Sequence, residues 1–380
     1  MRLGPLLASA LICATTFALA QERPRGRRVT IAASGDALLH IKVVKSAEAH
    51  GWGRVFEGLA QSLSADEIGF VNLESPLVDD VRDVRSGSPP ILGAPPSAAR
   101  GLADAGVDVV GLANNHSYDQ RAIGMARTIE ALDRAGVIGV GAHADEARAY
   151  AHRIVERSGV RVAFLSYTER VNGGPGGRPP AAYVASYRNQ EERLEDALHA
   201  AQREADVVVL GVHWSHDFIE EPHRSQRERA ERWVEAGADL ILGTGPHILQ
   251  RVERLSSPRG DAVVAYSLGN LVSNQGKRFR HGRRISEAVH PALRMPETRD
   301  GVVLRTTFDV GERIAIGSLR ATPLWTANNF WQMAAGEERD YDIRVTRWTD
   351  PDDPLARARR EAVQKTLGDA VRVDPIEARR

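Results

Sequence analysis

The chain has 380 residues with 50 basic and 50 acidic side chains, so its formal net charge is zero, and 42% of its residues are hydrophobic. This length is sufficient for one large domain or two ordinary ones. The neutral balance excludes an obvious electrostatic reason for binding nucleic acid or an anionic membrane surface. Arginine far outnumbers lysine. This bias is typical of a codon-biased genome, although guanidinium groups also suit carboxylate or phosphate ligands.

The first 20 residues are predicted to be a secretory signal peptide. Arg2 precedes an apolar run, and small residues at positions 18–20 favour cleavage after Ala20. The run is short for a membrane span, and no later segment is long and apolar enough for one. Cleavage would also remove Cys13, the one cysteine of the chain, so any metal must be held by nitrogen and oxygen donors. The mature protein is therefore expected in the periplasm or cell envelope, without a transmembrane segment.

Next in the chain come a polar leader, predicted for residues 21–28, and an α/β domain, predicted for residues 29–345. Nine short apolar runs bounded by Gly, Asp or Asn are typical of buried strands. They cover residues 29–34, 68–73, 107–112, 136–141, 161–167, 205–212, 238–244, 262–268 and 301–308. Helices are predicted between them, at 120–135, 189–204 and 225–236. This alternation predicts an α/β protein with largely parallel sheets.

Three segments depart from this alternation. Residues 79–97 are rich in Pro, Gly and Ser and are predicted to form a surface loop. Residues 275–300 are strongly basic, which favours a solvated loop, with a lid that attracts an anionic substrate as the alternative. Residues 346–380 are predicted to be a charged, peripheral C-terminal tail.

Polar and ionisable side chains follow the apolar runs, where the strands are predicted to end. After the first three runs come Asp36, His40, Asn72, Glu74, Asn114, Asn115 and His116. After the later runs come His213, His216, Asp217, His247 and Asn270. Ligand sites in parallel sheets form outside the carboxyl ends of the strands, so these groups are expected to converge. Alternation along the second run also points Asn72 and Glu74 to the same side.

Five of these residues are oxygen or imidazole donors of the kind that hold Zn²⁺, Mn²⁺ or Fe. They are Asp36, Glu74, Asn115, His213 and His247. His116 is predicted to pass a proton, with Asp119 holding its other ring nitrogen. Five more residues of the set are assigned to orienting the ligands or contacting substrate: Asn72, Asn114, His216, Asp217 and Asn270. Each residue alone also fits a turn, a helix cap or a core histidine, and the metal site is favoured because they occur together.

The same segments resemble the CapA family, the bacterial capsule or poly-γ-glutamate synthesis proteins, whose fold is similar to calcineurin-like metallophosphatases. The likeness runs in order from about Val29 to about Val272 and includes SGDALLH, FVNLESPL, GLANNHSYD, VHWSHD, LGTGPHILQ and AYSLGN. It implies a four-layer α/β/β/α sandwich, metallophosphatase-like, with a metal site at one edge of two facing sheets. By motif position it implies that one or two divalent metal ions are held by Asp36, His40, Glu74, Asn115, His213 and His247.

Two departures from the family pattern bear on the number of metals. The family usually carries a histidine just ahead of the Pro-His pair, whereas this chain has Thr244 and Gly245 there. The family also usually reads His-Trp-Gly followed by a glutamate, where this chain has Ser215 and Asp217. One expected imidazole is therefore missing, so a single metal and a weakly held pair both stay open. His216 is a candidate replacement, provided that the chain turns immediately after the tryptophan.

Two functions from different classes follow. The first is an exported metal-dependent hydrolase of the phosphoesterase type, acting on a phosphoester or an anionic polymer in the synthesis or processing of a capsular or poly-γ-glutamate polymer. The second is a non-catalytic envelope assembly factor that binds a polyanionic polymer for synthesis or export, attracted by the basic residues 277–284. Amide or γ-glutamyl transfer at the same site is a third hypothesis, which no Ser or Cys nucleophile motif supports. A nucleic-acid partner is not predicted, and the oligomeric state does not follow from the sequence.

Overall fold

The computed structural model describes residues 27–80, 84–85, 87, 89–176 and 180–377. The predicted signal peptide and residues 21–26 of the predicted leader lie outside the described residues. Within the described ranges, every helix is too short or too polar to cross a bilayer.

The described chain forms seventeen strands and eleven α-helices. The strands are β1 (Arg27–Ala37), β2 (Ile68–Leu73), β3 (Val109–Gly111), β4 (Ile138–Val140), β5 (Ala142–His143), β6 (Arg153–Arg157), β7 (Val160–Thr168), β8 (Tyr183–Val184), β9 (Val207–His213), β10 (Leu240–Thr244), β11 (Val252–Ser257), β12 (Gly260–Ala265), β13 (Asn270–Val272), β14 (Asp300–Val310), β15 (Ile314–Asn328), β16 (Ile343–Arg347) and β17 (Arg372–Val373). The helices are α1 (Ile41–His50), α2 (Trp52–Val55), α3 (Glu57–Ala60), α4 (Ser97–Asp104), α5 (Arg121–Ala135), α6 (Glu146–Tyr150), α7 (Glu191–Glu204), α8 (Arg224–Glu235), α9 (Pro291–Arg294), α10 (Phe330–Ala335) and α11 (Pro354–Leu367). All nine predicted strands and all three predicted helices are present, with bounds that differ by a few residues.

The strands form two parallel sets joined by a long hairpin. The N-terminal sheet has the order β4-β3-β2-β1, and the C-terminal sheet has the order β12-β10-β9-β7, with β6 antiparallel at its edge. Strands β14 and β15 pair with each other and connect the two sets, since β14 lies antiparallel to β1 and β15 meets β12. The carboxyl ends of both parallel sets are therefore available to build one site.

Alternate residues of each strand face two different cores. In β1, Ile31 and Ala33 face the space between the sheets, whereas Ala32 packs with the helices. Phe70 and Phe164 stack across that space, with ring centroids 6.2 Å apart. Helices α1, α4 and α5 cover the outer face of the N-terminal sheet, and α7 and α8 cover that of the C-terminal sheet. These layers confirm the four-layer α/β/β/α sandwich.

The C-terminal segment, expected to be peripheral, packs into the domain instead. Helix α11 begins at Pro354, behind Asp353, whose carboxylate accepts a hydrogen bond from the backbone N–H of Leu355 at 2.8 Å. It buries Val363 and Leu367 in the core shared by the two sheets, and β17 pairs in parallel with β15. The apolar positions of this segment are too sparse to reveal this packing without the surface that they contact.

The basic segment at 275–300 is irregular for most of its length and is anchored at both ends. Gln275 is buried, and the buried Arg299 donates from Nε to the backbone oxygen of Thr326 at 2.7 Å. The residues between are largely exposed, apart from the one-turn helix α9 and a 3₁₀ turn, Pro296–Arg299. This geometry holds the segment against the site described below.

Candidate metal centre

The two sheets deliver their side chains to one point from opposite directions. Asp36 lies near the end of β1 and Glu74 follows β2 in the N-terminal sheet. His213 ends β9 in the C-terminal sheet, and His247 lies three residues beyond β10. All four side chains are buried, so the predicted convergence is observed.

Asp36 is held by three donors. Its carboxylate accepts hydrogen bonds from Nδ2 of Asn72 at 2.7 Å, from the backbone N–H of Gly245 at 3.0 Å and from Nδ1 of His247 at 3.2 Å. Burial alone raises the pKa of Asp36, but its contacts with His247, His213 and Asn72 outweigh burial and leave the pKa lowered. Burial alone lowers the pKa of His247, but its hydrogen bond with Asp36 and the negative charge of that carboxylate outweigh burial and leave the pKa raised. Asp36 is therefore an ionised carboxylate.

Glu74 is fully buried and lacks the donors that Asp36 has. Among the described residues, neither of its carboxylate oxygens has a hydrogen-bond partner, although Oε1 lies 3.5 Å from Nε2 of His213 and Oε2 lies 4.0 Å from Nδ1 of His247. Burial, followed by the neighbouring carboxylates of Asp36 and Asp217, raises the pKa of Glu74 well above its ordinary value. Leaving such acceptors unpaired costs about 1–3 kcal/mol for each group. A cation at this position would remove that cost.

The donors around Glu74 fit a divalent cation. Ligand atoms of Asp36, Glu74 and His247 all lie within 4.8 Å of one another. Asn115 lines the same cavity as His247, and its buried amide oxygen also has no hydrogen-bond partner in the described part of the chain. Burial lowers the pKa of His213 to about 4, so its imidazole is neutral and able to ligate at physiological pH. Carboxylate, amide and imidazole donors together suit Zn²⁺, Mn²⁺ or Fe²⁺.

Two residues at the ends of strands contact the ring of His213. Its Nδ1 lies 3.1 Å from Oγ1 of Thr244 and 3.3 Å from Nδ2 of Asn72. If the hydroxyl of Thr244 accepts the Nδ1 proton, the lone pair on Nε2 faces Glu74. Such contacts set the tautomer of a metal-binding histidine. With the proton on Nδ1, Thr244 is the hydrogen-bond acceptor, and the Asn72 amide, itself a donor, holds Asp36 and packs against the ring without bonding to Nδ1. Thr244 is a contributor that the sequence did not indicate.

The predicted proton carrier is adjacent to this cluster. Nδ1 of His116 lies 2.6 Å from Oδ2 of Asp119, and that oxygen also accepts the backbone N–H of Leu92 at 2.7 Å. Nε2 of His116 lies 3.9 Å from Oε1 of Glu74. The backbone N–H of His116 donates to the side chain of Asn114 at 3.2 Å, which holds the loop in place. Asp119 therefore orients an imidazole whose free nitrogen faces the cluster.

Three other predicted residues lie around the cluster. His40 lines the adjoining cavity and accepts the backbone N–H of Asn274 on Nδ1 at 3.3 Å, while burial lowers its pKa to about 3. Asp217 lies at the cavity mouth. The side-chain NH₂ of Asn270 lies within hydrogen-bonding distance of acceptors on Ser273, Gln275 and Thr298, and so ties the turn after β13 to the 3₁₀ turn Pro296–Arg299.

His216 does not join the cluster. It is exposed, with φ of 79°, and its ring stacks on His223 at a centroid distance of 4.7 Å. The chain does turn after Trp214, but the turn directs His216 outward and brings in Phe218, whose ring lies 5.8 Å from that of His247. The geometry therefore does not supply the missing imidazole from His216.

The backbone at Gly245 explains why a side chain is absent there. Its φ is 103°, and a Cβ atom would lie 2.3 Å from the backbone oxygen of Trp214. At the same time its N–H donates to Asp36. The close approach places this amide against the carboxylate, so glycine at 245 contributes to the site through its backbone.

Gly245→Ala is expected to destabilise the protein by about 3 kcal/mol, because left-handed backbone strain adds to steric overlap. Gly136→Ala is the matched control, since Gly136 ends α5 with φ of 76° and a Cβ atom added there would meet no atom within 4 Å. That control is expected to cost about 1 kcal/mol. Chemical denaturation of both variants checks the difference, and equal losses would contradict the steric account.

A cavity of about 490 Å³ opens beside the cluster. His40, Asn115, His116 and His247 form its inner wall. The more exposed part of its lining, its rim, carries Arg170, Lys277 and His290 beside the carboxylate of Asp217. Pockets of this size accommodate small ligands or segments of larger ones.

Known proteins resemble this chain over the region that contains the candidate metal centre. The family model for the bacterial capsule synthesis protein PGA_cap matches residues 30–275. The chain is 29% identical over 283 residues to the capsule biosynthesis protein CapA of Bacillus anthracis, covering 72% of this chain and 67% of that protein. It is 27% identical to the PGA biosynthesis protein CapA of Bacillus subtilis, covering 64% of this chain and 62% of that protein. The match thus spans about two thirds or less of the length of these relatives.

Two solved structures are similar at a lower level. The NAD nucleotidase NadN of Haemophilus influenzae matches with a TM-score of 0.45 and 10% identity, covering 93% of this chain and 65% of that chain. A hypothetical protein of Thermus thermophilus matches with a TM-score of 0.42 and 16% identity, covering 78% of this chain and 99% of that chain. No activity is carried over from either.

The family match confirms the resemblance that the motifs indicated. It includes all residues of the cluster, from Asp36 to His247, together with His116 and Asp119. This chain belongs to the PGA_cap family of bacterial capsule synthesis proteins.

Proposed function

We propose that this protein is an exported metal-dependent hydrolase of the phosphoesterase type, acting in the synthesis or processing of a capsular or polyglutamate polymer. One observation carries the chemistry. The two buried oxygens of Glu74 lack hydrogen-bond donors among the described residues, and Nε2 of the His116 imidazole, which Asp119 orients, lies 3.9 Å from Oε1 of Glu74. Family membership and the names of the relatives support the biological role. Export rests on the predicted signal peptide.

Asp36, Glu74 and His247 would hold the ion, with His213 and Asn115 as further donors. When bound, a divalent ion supplies Lewis acidity towards a phosphoryl or carbonyl oxygen. Asn72 would orient the carboxylate of Asp36, and Thr244 would orient the ring of His213, so that both could bind the ion. Elemental analysis of the isolated protein then decides between one ion and two.

His116 would carry the proton. Asp119 would accept a hydrogen bond from Nδ1–H and stabilise the charged imidazolium, so that Nε2 would give its proton to the leaving oxygen of a substrate in the cavity. The ring is almost fully buried, so water competes poorly for this nitrogen. The arrangement requires the reacting group to lie between His116 and the cluster.

Turnover by metal-reloaded protein tests this proposal. The chain is stripped with a chelator, reloaded with Zn²⁺, Mn²⁺ or Fe²⁺, and assayed on phosphomonoesters and phosphodiesters. We expect hydrolysis only after reloading. Protein that takes up stoichiometric metal yet turns over neither class of ester would contradict a phosphoesterase.

The cationic rim of the cavity favours a second candidate, an assembly factor that binds a polyanionic polymer without cleaving it. Arg170 and Lys277 lie at the rim, where they can attract an anion whether or not metal is bound. Polymer retention by chelated protein and by His116→Ala, with no shortening of the polymer by the reloaded wild type, would favour this candidate over the hydrolase.

A further inference from the structure

Two of the four lysines in the chain converge on one aromatic ring. Nζ of Lys42 lies 5.9 Å from the ring centroid of Phe330, and Nζ of Lys277 lies 5.5 Å from the same centroid. Lys42 also lies 4.4 Å from the ring of Tyr341. A ring face attracts an ammonium group without neutralising its charge. The two cations are therefore held in place with their charges intact.

These lysines have no anionic partner among the described residues. The nearby carboxylate of Asp342 pairs with Arg54 and Arg344 instead. Burial, followed by the charges of Lys42 and Arg278, lowers the pKa of Lys277. Two like charges that act on each other and are partly out of water are unfavourable, and a bound anion would relieve their repulsion.

A chain of hydrogen bonds fixes this group relative to the candidate metal centre. The backbone N–H of Phe330 donates to the side chain of Asn328 at 2.9 Å, and Asn328 donates to Oδ1 of Asn274 at 3.1 Å. The backbone N–H of Asn274 in turn donates to Nδ1 of His40, in the cavity wall, at 3.3 Å. Lys277 itself lines the same cavity. Lys277 thus lies in the cavity wall, and the ring of Phe330 and Lys42 lie next to it, behind that wall.

A second set of contacts holds the backbone on both sides of Tyr341 against Asn329, the residue that precedes helix α10. Nδ2 of Asn329 donates to the backbone oxygen of Asp340 at 2.9 Å, and Oδ1 of Asn329 accepts the backbone N–H of Asp342 at 2.9 Å. Tyr341 lies between these two anchored residues. The two aromatic residues that Lys42 contacts are therefore carried by backbone segments that hydrogen bonds hold in place.

We propose that Lys42 and Lys277, with Phe330 and Tyr341, form a subsite for one oxyanion, a carboxylate or a phosphate, at the side of the cavity. We call these four residues the lysine subsite. The substrate would then carry at least two anionic or ester groups, one at the candidate metal centre and one at the lysine subsite. This second statement rests on the proposed function, whereas anion binding by the lysine subsite does not.

Calorimetric titration of the full chain in the presence of a chelator tests the subsite. Chelation leaves the cluster rich in carboxylates, so that the cluster itself does not attract an anion. Tripolyphosphate is titrated in one arm and a γ-linked glutamate trimer in the other, which distinguishes phosphate from carboxylate as the source of the oxyanion. Lys42→Met and Lys277→Met keep the aliphatic stem and remove the charge. Lys45→Met is the matched control, since Lys45 is an exposed lysine on the same helix, α1.

We expect each subsite variant to weaken binding of at least one probe about tenfold, the loss expected for one charged hydrogen bond. Lys45→Met is expected to change it less than twofold, and Lys277→Arg to retain most of the affinity. Unchanged affinity in both methionine variants, or an equal loss in Lys45→Met, would overturn the proposal. Melting temperatures identify a variant that has lost its fold, in which case Lys42→Gln and Lys277→Gln, which also remove the charge, are titrated instead, and unchanged affinity in both would overturn the proposal.

The outcome is independent of turnover. If the proposed hydrolase fails, reloaded protein shows no hydrolysis while the chelated protein still binds the probes through Lys42 and Lys277. If the lysine subsite fails, chelated wild type and methionine variants bind alike, whatever the reloaded protein hydrolyses.

Discussion

Glu74→Gln is expected to weaken metal binding by at least about 100-fold while leaving the fold intact. The substitution preserves the shape of the side chain but removes the negative charge, in a place where both oxygens are buried and unpaired. Asp36 and His247 would remain, but the ion would lose a charged ligand between them. Metal content after dialysis, together with the melting temperature with and without metal, measures the effect.

The control for this variant is Glu169→Gln. Glu169 is only partly buried and accepts the backbone N–H of Ser215 at 3.0 Å, beside the site but outside the cluster. Its replacement should leave metal content unchanged. Proton release provides a second readout, because metal displaces protons from its ligands and burial raises the pKa of Glu74. Retained stoichiometry in Glu74→Gln would mean that the cluster does not hold the ion.

His116→Ala is expected to lower turnover by about 10²- to 10⁴-fold with unchanged metal content, the range for loss of a general acid. His116 bonds to Asp119, but its Nε2 lies 3.9 Å from Oε1 of Glu74, beyond hydrogen-bonding distance. Removing the imidazole therefore takes no hydrogen bond away from the cluster. Steady-state kinetics on reloaded protein, with metal measured in the same sample, separates the proton step from metal binding.

His216→Ala is the matched control, since His216 is an exposed histidine that directly precedes Asp217 of the cavity lining but stacks on His223. It should keep both turnover and metal content. Loss of metal in His216→Ala would revive His216 as a ligand, and turnover that survives His116→Ala would remove His116 from the reaction. Together with Glu74→Gln, these variants distinguish a residue that holds the ion from one that moves a proton.

Much of the fold was predictable because most of its strands coincide with clear apolar runs in the sequence. Runs such as 205–212 and 238–244 are apolar almost throughout, and a strand buried on both faces needs such a run. Residues at the carboxyl ends of parallel strands share one edge of a sheet, so the positions of Asp36, Glu74 and His213 also followed from the sequence. The coupling of His116 to Asp119 was predictable for a similar reason, because the two residues lie in one short loop.

The order of chemical groups along the chain and the donors available to a metal follow from the amino-acid sequence alone. The three-dimensional fold was needed to establish that Phe218, not His216, turns inward, because the backbone N–H of Phe218 bonds to the oxygen of Pro246 in another loop. The fold likewise established that Gly245 contacts Asp36 and that Lys42 meets Lys277 at Phe330. These contacts join segments far apart in sequence, and their geometry depends on backbone turns and packing distances that no local pattern of residues encodes.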